Sequence, residues 1–187
     1  MTTLYLFGSA APPVLDVAPV IADAQRQGFD VCLGLTPTAA RWLEPQTAEL
    51  ERLTGHPVRS EYRMPGAPDV WPRADVILFA PTTFNSLNSL ASGLTASWVV
   101  GVCAEGIGKG IPQVVMPCVN AAYARHRALR RSVVELRDMG VTVLYGAGGF
   151  EPNPPGERRE YPWDVALAEV GRAAGCGPEP SRGTAPA

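Results

Sequence analysis

Apolar positions along the chain fall into short strand-like runs separated by stretches of helical spacing, a pattern that predicts repeated βα units. Thr3–Phe7 reads as a first strand, ended by Gly8, Ser9 and Ala10. Pro12 and Pro13 open a helix whose Val14, Val17, Val20 and Ile21 recur at three- and four-residue spacing until Gly28. Pro19 lies inside that helix and is expected to kink it. Asp30–Leu35 is a second strand, followed by Thr36-Pro37-Thr38 and a helical pattern from Ala39 to Leu53 that stops at Gly55.

Val58–Tyr62 is a candidate third strand, and Ala74–Ala80 is the clearest strand of all. Its nearly continuous apolar run implies burial on both faces, as in a parallel sheet. Asn85–Gly93 and Leu94–Val102 read as one helix or two short ones, and Gly106–Gly110 as a flexible turn into a strand at Gln113–Met116. Asn120–Asp138 is expected to be one long helix stopped by Gly140, and Val141–Tyr145 the last strand. Gly146–Pro162 is loop-like, Trp163–Ala174 helical, and the Gly-, Pro- and Ser-rich stretch 175–187 is expected to be a disordered tail beyond one domain of residues 1–174.

Composition narrows the partners more than the fold. The 187 residues, 46% of them hydrophobic and 18% charged, suit one globular core, and a net charge of -2 gives no broad electrostatic reason to expect nucleic acid or an anionic membrane. No apolar run is long enough to span a bilayer and no signal-peptide pattern opens the chain, so a cytoplasmic location is expected. Cys32, Cys103, Cys118 and Cys176 lack CxxC spacing, and only His56 and His126 could join them, so no metal site is expected.

The chemistry concentrates where strands end. Gly8-Ser9, Thr36-Pro37-Thr38 and Pro81-Thr82-Thr83 each follow an apolar strand and precede a helix, which would gather hydroxyls and backbone N–H groups at one sheet edge. Helix N-termini attract phosphate, so a nucleotide-like ligand is one reading; N-capping by Ser and Thr is the other. Neither a G-x-G-x-x-G fingerprint nor a P-loop is present. Asn120, between an apolar strand and the long helix, is either a helix cap or a ligand-binding amide.

Two segments carry a family resemblance. Ala80-Pro81-Thr82-Thr83-Phe84-Asn85 resembles the PASANT-like segment, and Pro117-Cys118-Val119-Asn120-Ala121-Ala122-Tyr123-Ala124 the PxMNxxMW motif, of the homo-oligomeric flavin-containing cysteine decarboxylases. Only Pro117 and Asn120 match the second motif strictly. The resemblance covers residues 3 to 149 and implies a Rossmann-like, flavodoxin-like three-layer α/β fold around a central parallel sheet, in a homotrimer or homododecamer. It implies FMN as cofactor, with Gly8, Ser9, Thr36, Thr38, Pro81, Thr82, Thr83, Asn85 and Ser97 at the flavin site. It also implies oxidative decarboxylation of a cysteine-containing peptide or small thiol, with Asn120 holding the substrate carboxylate.

Two departures shape the expectation. Counting back from Pro81 to the family's catalytic histidine reaches Ala67, and Gly146–Tyr161 lacks the cysteine that phosphopantothenoylcysteine decarboxylases use to complete their step. A peptide's C-terminal cysteine is then the better substrate, released as an enethiol. His126 is the candidate substitute base, with helix packing or a subunit contact as its other reading, and His56 reads as a surface or packing residue. Arg125, Arg127, Arg130, Arg131 and Arg137 form a solvated helix face or grip an acidic peptide, and the loop 146–161 closes over substrate or only connects elements. A flavin prenyltransferase-like enzyme and an FMN-binding regulatory or assembly subunit are the rivals.

Overall fold

Strand β1 (Thr2–Gly8) leads through a 3-10 turn at Pro12–Asp16 into α1 (Val17–Arg26) and then β2 (Phe29–Leu35). The computed structural model describes residues 1–154 and 160–175, so the tail expected at 175–187 lies, beyond Gly175, outside the described residues. After β2 come α2 (Pro37–Leu43), α3 (Thr47–Thr54), β3 (Val76–Thr82), α4 (Phe84–Ala91), α5 (Trp98–Gly108) and β4 (Gln113–Pro117). The chain continues through α6 (Ala121–Ala124), α7 (Arg127–Asp138), β5 (Thr142–Val143) and α8 (Trp163–Ala173).

All five strands are parallel, in the order β2-β1-β3-β4-β5. This is the flavodoxin-like α/β arrangement, in which strand order reverses between β1 and β3 and leaves a crevice at their carboxyl ends. Side chains alternate across the pleat. Tyr5 and Phe7 meet Trp71 and Trp98 at ring-centroid distances of 4.9 and 5.7 Å. Gly8 belongs to the other face, where an added Cβ would stand 2.8 Å from Val14, so the 3-10 turn packs there. Every residue of β3 is buried, as its unbroken apolar run implies.

Six expectations need correction. The candidate third strand at Val58–Tyr62 reduces to a single bridge of Arg59 against Gly34, because Arg59 turns its guanidinium over the Trp98 ring instead of continuing a ladder. The helix expected over Ala39–Leu53 is divided by a 3-10 turn at Glu44–Gln46, since Pro45 has no N–H to carry it through. Pro19 does not interrupt α1: it occupies the first turn, where N–H groups have no partner within the helix. Gly106 and Gly108 belong to α5 rather than to a flexible turn, and Gly106 admits Gln113 and Ile77, which an added Cβ would meet at 2.8 and 2.9 Å. The long helix from Asn120 is two helices, broken at Arg125 and His126, and the last strand keeps only Thr142–Val143 before the chain turns back at the Tyr145–Phe150 bridge.

Gly34 is a tight point of the aromatic face, for a Cβ there would lie 2.5 Å from Phe7 and 3.1 Å from Trp98. Gly34→Ala is expected to lower thermal stability by about 1–3 kcal/mol through overpacking. Gly108→Ala, with open space around its Cβ, should be neutral or stabilising by up to about 1 kcal/mol. Equal melting curves for the two variants would contradict this packing.

Candidate functional site

Backbone hydrogen bonds tie the loops at the carboxyl edge of the sheet into one row. The Thr36 N–H donates to the Gly8 carbonyl at 2.9 Å, and Ser9 to Pro81 at 2.8 Å. Cys118 donates to Thr82 at 2.9 Å, and Ala121 to Asn153 at 3.1 Å. Beside a register shift between Phe79 and Thr82, the consecutive Pro81 and Thr82 carbonyls face different neighbours, Ser9 and Cys118. Segments far apart in sequence thereby converge on the crevice between β1 and β3.

Two adjoining cavities open along this row. One, of about 280 Å³, is lined by hydroxyls and amides, including Thr36, Thr38, Thr83, Asn85 and Ser97. The other, of about 790 Å³, is more apolar and includes Phe84, Cys118, Asn120, Tyr123 and Asn153. Ala10, Thr83 and Asn85 line both. Among the described residues no carboxylate, lysine or arginine lines either cavity, so an anion held there would rely on neutral donors and helix N-termini.

Five of the sequence-derived flavin candidates thus share one cavity: Thr36, Thr38, Thr83, Asn85 and Ser97. Several also serve the fold. Thr83 Oγ caps α4 by accepting from Ser86 N, and Ser97 Oγ caps α5 by accepting from Val100 N. Thr36 begins α2 with no side-chain cap bond, which leaves its buried hydroxyl uncommitted to that helix. The Asn85 side chain is exposed to the cavity and makes no hydrogen bond among the described residues.

The remaining candidates act beneath the surface. Gly8 is a close-packing position, and Ser9 is buried with its hydroxyl donating to Ser86 Oγ at 2.9 Å. Pro81 contributes its carbonyl to Ser9, and Thr82 is fully buried with its hydroxyl spent on the Phe79 carbonyl at 2.6 Å. None of these four lines a cavity, because each is taken up in holding the loops together.

Asn120 resolves the choice between cap and ligand by allowing both. Its Oδ1 accepts from the Ala122 and Tyr123 N–H groups at 3.0 and 2.9 Å, capping α6. That fixes the amide and leaves the Nδ2 hydrogens unspent at the cavity wall, among the described residues. Cys118 stands beside it, its thiol pushed up to about 11 by burial and so protonated at neutral pH.

His126 is not in this cavity. Its Nδ1 accepts from Ala128 N at 3.2 Å to cap α7, and its ring meets Phe84 edge-on at 5.4 Å while lining a separate groove. The break in the expected long helix turns it away. Ala67 lines a third cavity, with Tyr5, Trp71 and Trp98, rather than the one at Asn120. His56 is 2.8 Å from Asp30 and plays the packing part expected of it.

Sequence reasoning passed over Ala10, Ser86, Phe84 and Asn153. Ser86 accepts from both Ser9 and Thr83, at 2.9 and 3.1 Å, and its signal was a hydroxyl three residues after the Thr83 cap. Phe84 stacks on Tyr123 with centroids 4.6 Å apart and planes 22° from parallel. Asn153 had no local signal, since only the fold brings that loop to the residue after Asn120.

Known structures share this architecture. The FMN-dependent cysteine decarboxylase SpaF matches with a TM-score of 0.69 at 20% identity, covering 91% of this chain and 97% of its own. TvaF, an FMN-dependent cysteine decarboxylase of thioviridamide biosynthesis, gives 0.69 at 21% identity, with 94% and 99% covered. The peptidyl-cysteine decarboxylase EpiD gives 0.62 at 19% identity, with 82% and 88% covered. No curated protein sequence matches significantly. The family model "Flavoprotein" matches residues 3–171, from the first strand through most of α8, and the chain belongs to the flavoprotein family.

Proposed function

We propose that this protein binds FMN and decarboxylates the C-terminal cysteine of a peptide oxidatively, releasing an enethiol. The observation that carries the reading is the adjoining pair of cavities, polar and apolar, that share Thr83 and Asn85 and end at the Asn120 amide. A polar cleft lined by hydroxyls and an exposed amide suits a phosphate and polyol, and an apolar cleft suits a flat ring, so the residues present fit the cofactor. Thr36, Thr38, Thr83, Asn85 and Ser97 would hold it. FMN, when bound, supplies the two-electron acceptor for oxidation of the thiol.

This chain's own contribution is orientation. The Asn120 Nδ2 donates to the substrate carboxylate while its Oδ1 stays locked in the α6 cap, so the amide pays little entropy on binding. Phe84, Tyr123 and Val119 exclude water from the carboxylate side of the apolar cleft. SpaF and TvaF are described as FMN-dependent cysteine decarboxylases, and EpiD as a peptidyl-cysteine decarboxylase, which supports the reaction class and the peptide substrate. A homotrimer or homododecamer in the cytoplasm is part of the same proposal; among the described residues no helix is long and apolar enough to cross a membrane.

One rival has a specific observation behind it. With Ala67 at the expected histidine position and His126 occupied as a cap, no imidazole lines the Asn120 cavity among the described residues. A flavin-binding subunit without turnover would have that character. Mass spectrometry separates the two: protein purified with its flavin and incubated with cysteine-ended peptides should give a loss of about 46 Da, carbon dioxide plus two hydrogens. Flavin binding with no mass change across varied peptides would favour the subunit.

Two substitutions test the assignments. Asn120→Asp keeps an equally good cap but sets a carboxylate against the substrate's own; stability should be unchanged and kcat/KM should fall by about 100-fold or more. Turnover within about twofold of wild type would remove Asn120 from the site. His126→Gln should lose the α7 cap, about 0.5–2 kcal/mol, and retain most turnover. A collapse of kcat with intact flavin binding would reinstate His126 as the base.

A further inference from the structure

Four arginines cluster at the junction of α6 and α7: Arg125, Arg127, Arg130 and Arg131. All four are exposed and line a groove of about 580 Å³ whose single carboxylate is Glu135. Among the described residues none of the four has a carboxylate within ion-pair distance, Glu135 included, although it stands four residues beyond Arg131. Elsewhere some exposed cations do find partners, as in Arg26–Asp23, Lys109–Glu105 and Arg172–Glu169, whereas Arg52 and Arg73 stand without one among the described residues; here four such cations gather on one groove. Arg137, on the same helix, is tied to the Val143 carbonyl at 2.7 Å and takes no part.

The placement works against local stability. α7 has no acidic residue in its first turn, and Arg127, Arg130 and Arg131 crowd the end of the helix where the backbone dipole is already positive. Arg127 and Arg131 are also one turn apart, a repulsive spacing for like charges. Helix energetics alone would not gather these charges here, in a chain whose net charge is -2. Breaks of local rules without internal compensation tend to mark function.

The groove is continuous with the candidate active site. Tyr123 lines the Asn120 cavity, and the groove begins at the next residues, Ala124 and Arg125. Phe84, a cavity residue, touches both Tyr123 and His126, so its ring forms the sill between the two. A peptide whose terminal carboxylate sits at Asn120 must leave the cavity, and the arginine groove lies on the far side of this sill, lined by His126 and its neighbours.

We infer that the α6–α7 groove is a docking surface for an acidic segment of the peptide substrate, lying upstream of its C-terminal cysteine. The inference rests on reading the Asn120 cavity as a peptidyl-cysteine site. Carboxylates on the peptide supply the partners that the four arginines do not have among the described residues, and the field of the helix N-terminus reinforces the attraction. Exposed charges contribute mainly to capture and specificity, so the effect belongs in KM and binding rather than in kcat.

The test uses the flavin-loaded, full-length protein and two synthetic peptides of equal length ending in cysteine, one with three upstream glutamates and one with glutamines in their place. The acidic peptide should show a KM about 5- to 30-fold lower at similar kcat. The difference should vanish as salt rises from about 0.01 to about 1 M, where the screening length shrinks from about 30 to about 3 Å. Arg127→Glu with Arg130→Glu should erase the preference and transfer it to a peptide carrying lysines. Fluorescence anisotropy with the same peptides ending in serine reads the groove without turnover. Salt-sensitive, glutamate-dependent binding there with no decarboxylation of either cysteine peptide would support the groove and defeat the proposed reaction. Equal KM values and equal affinities at low salt would overturn the groove, whatever the turnover.

Discussion

The row of backbone hydrogen bonds from Thr36 to Gly8, Ser9 to Pro81, Thr82 to Cys118 and Ala121 to Asn153 is the constraint on which the site depends. Each bond joins loops that follow different strands, and each uses groups that would otherwise be unpaired at a strand end. The parallel sheet aligns these loops at one edge, but it does not by itself fix how they meet. The end of β3 does so: its consecutive Pro81 and Thr82 carbonyls accept from Ser9 on one side and Cys118 on the other, beside the register shift that follows Phe79. Buried hydroxyls then lock the arrangement, with Ser86 accepting from Ser9 and Thr83, and Thr82 donating to Phe79.

Capping and binding are compatible uses of the same side chain here. Thr83, Ser97 and Asn120 each spend one acceptor on the first turn of a helix. A hydroxyl keeps further capacity, and an amide whose oxygen is committed keeps both N–H donors. A cap of this kind therefore fixes where the remaining donors of the side chain point. Asn120 illustrates this most fully: two bonds to its Oδ1 hold a side chain that is itself exposed at a cavity wall.

Much of this was legible in the sequence, and what was missed has physical causes. β3 declared itself because burial on both faces demands an unbroken apolar run. The parallel order and the convergence of the post-strand turns followed from alternation. Helix continuity was harder to read: the 120–138 segment has helical spacing throughout, yet its backbone breaks at His126, whose imidazole caps the second helix. His126 is spent on that cap and lines the separate groove, not the Asn120 cavity. Thr82, Ser9 and Gly8 read as ligand contacts because turn residues near strand ends look alike whether they face a ligand or each other. Asn153 was invisible because its proximity to Ala121 arises only from the tertiary fold.

The same division explains which parts of the resemblance persist in this chain. Pro117 pairs with Thr82 in the β3–β4 register, and Asn120 supplies both the α6 cap and the exposed amide, so each is tied to backbone geometry. The motif's methionine and tryptophan positions, here Val119, Tyr123 and Ala124, carry no such tie through their side chains. Here Phe84 stacks on Tyr123, a pairing that also brings the wall of the apolar cleft against His126. The frame of the site is thus held by hydrogen bonds between segments and its lining by packing, so a substitution in the lining changes the shape of the cleft while leaving the hydrogen-bonded frame intact.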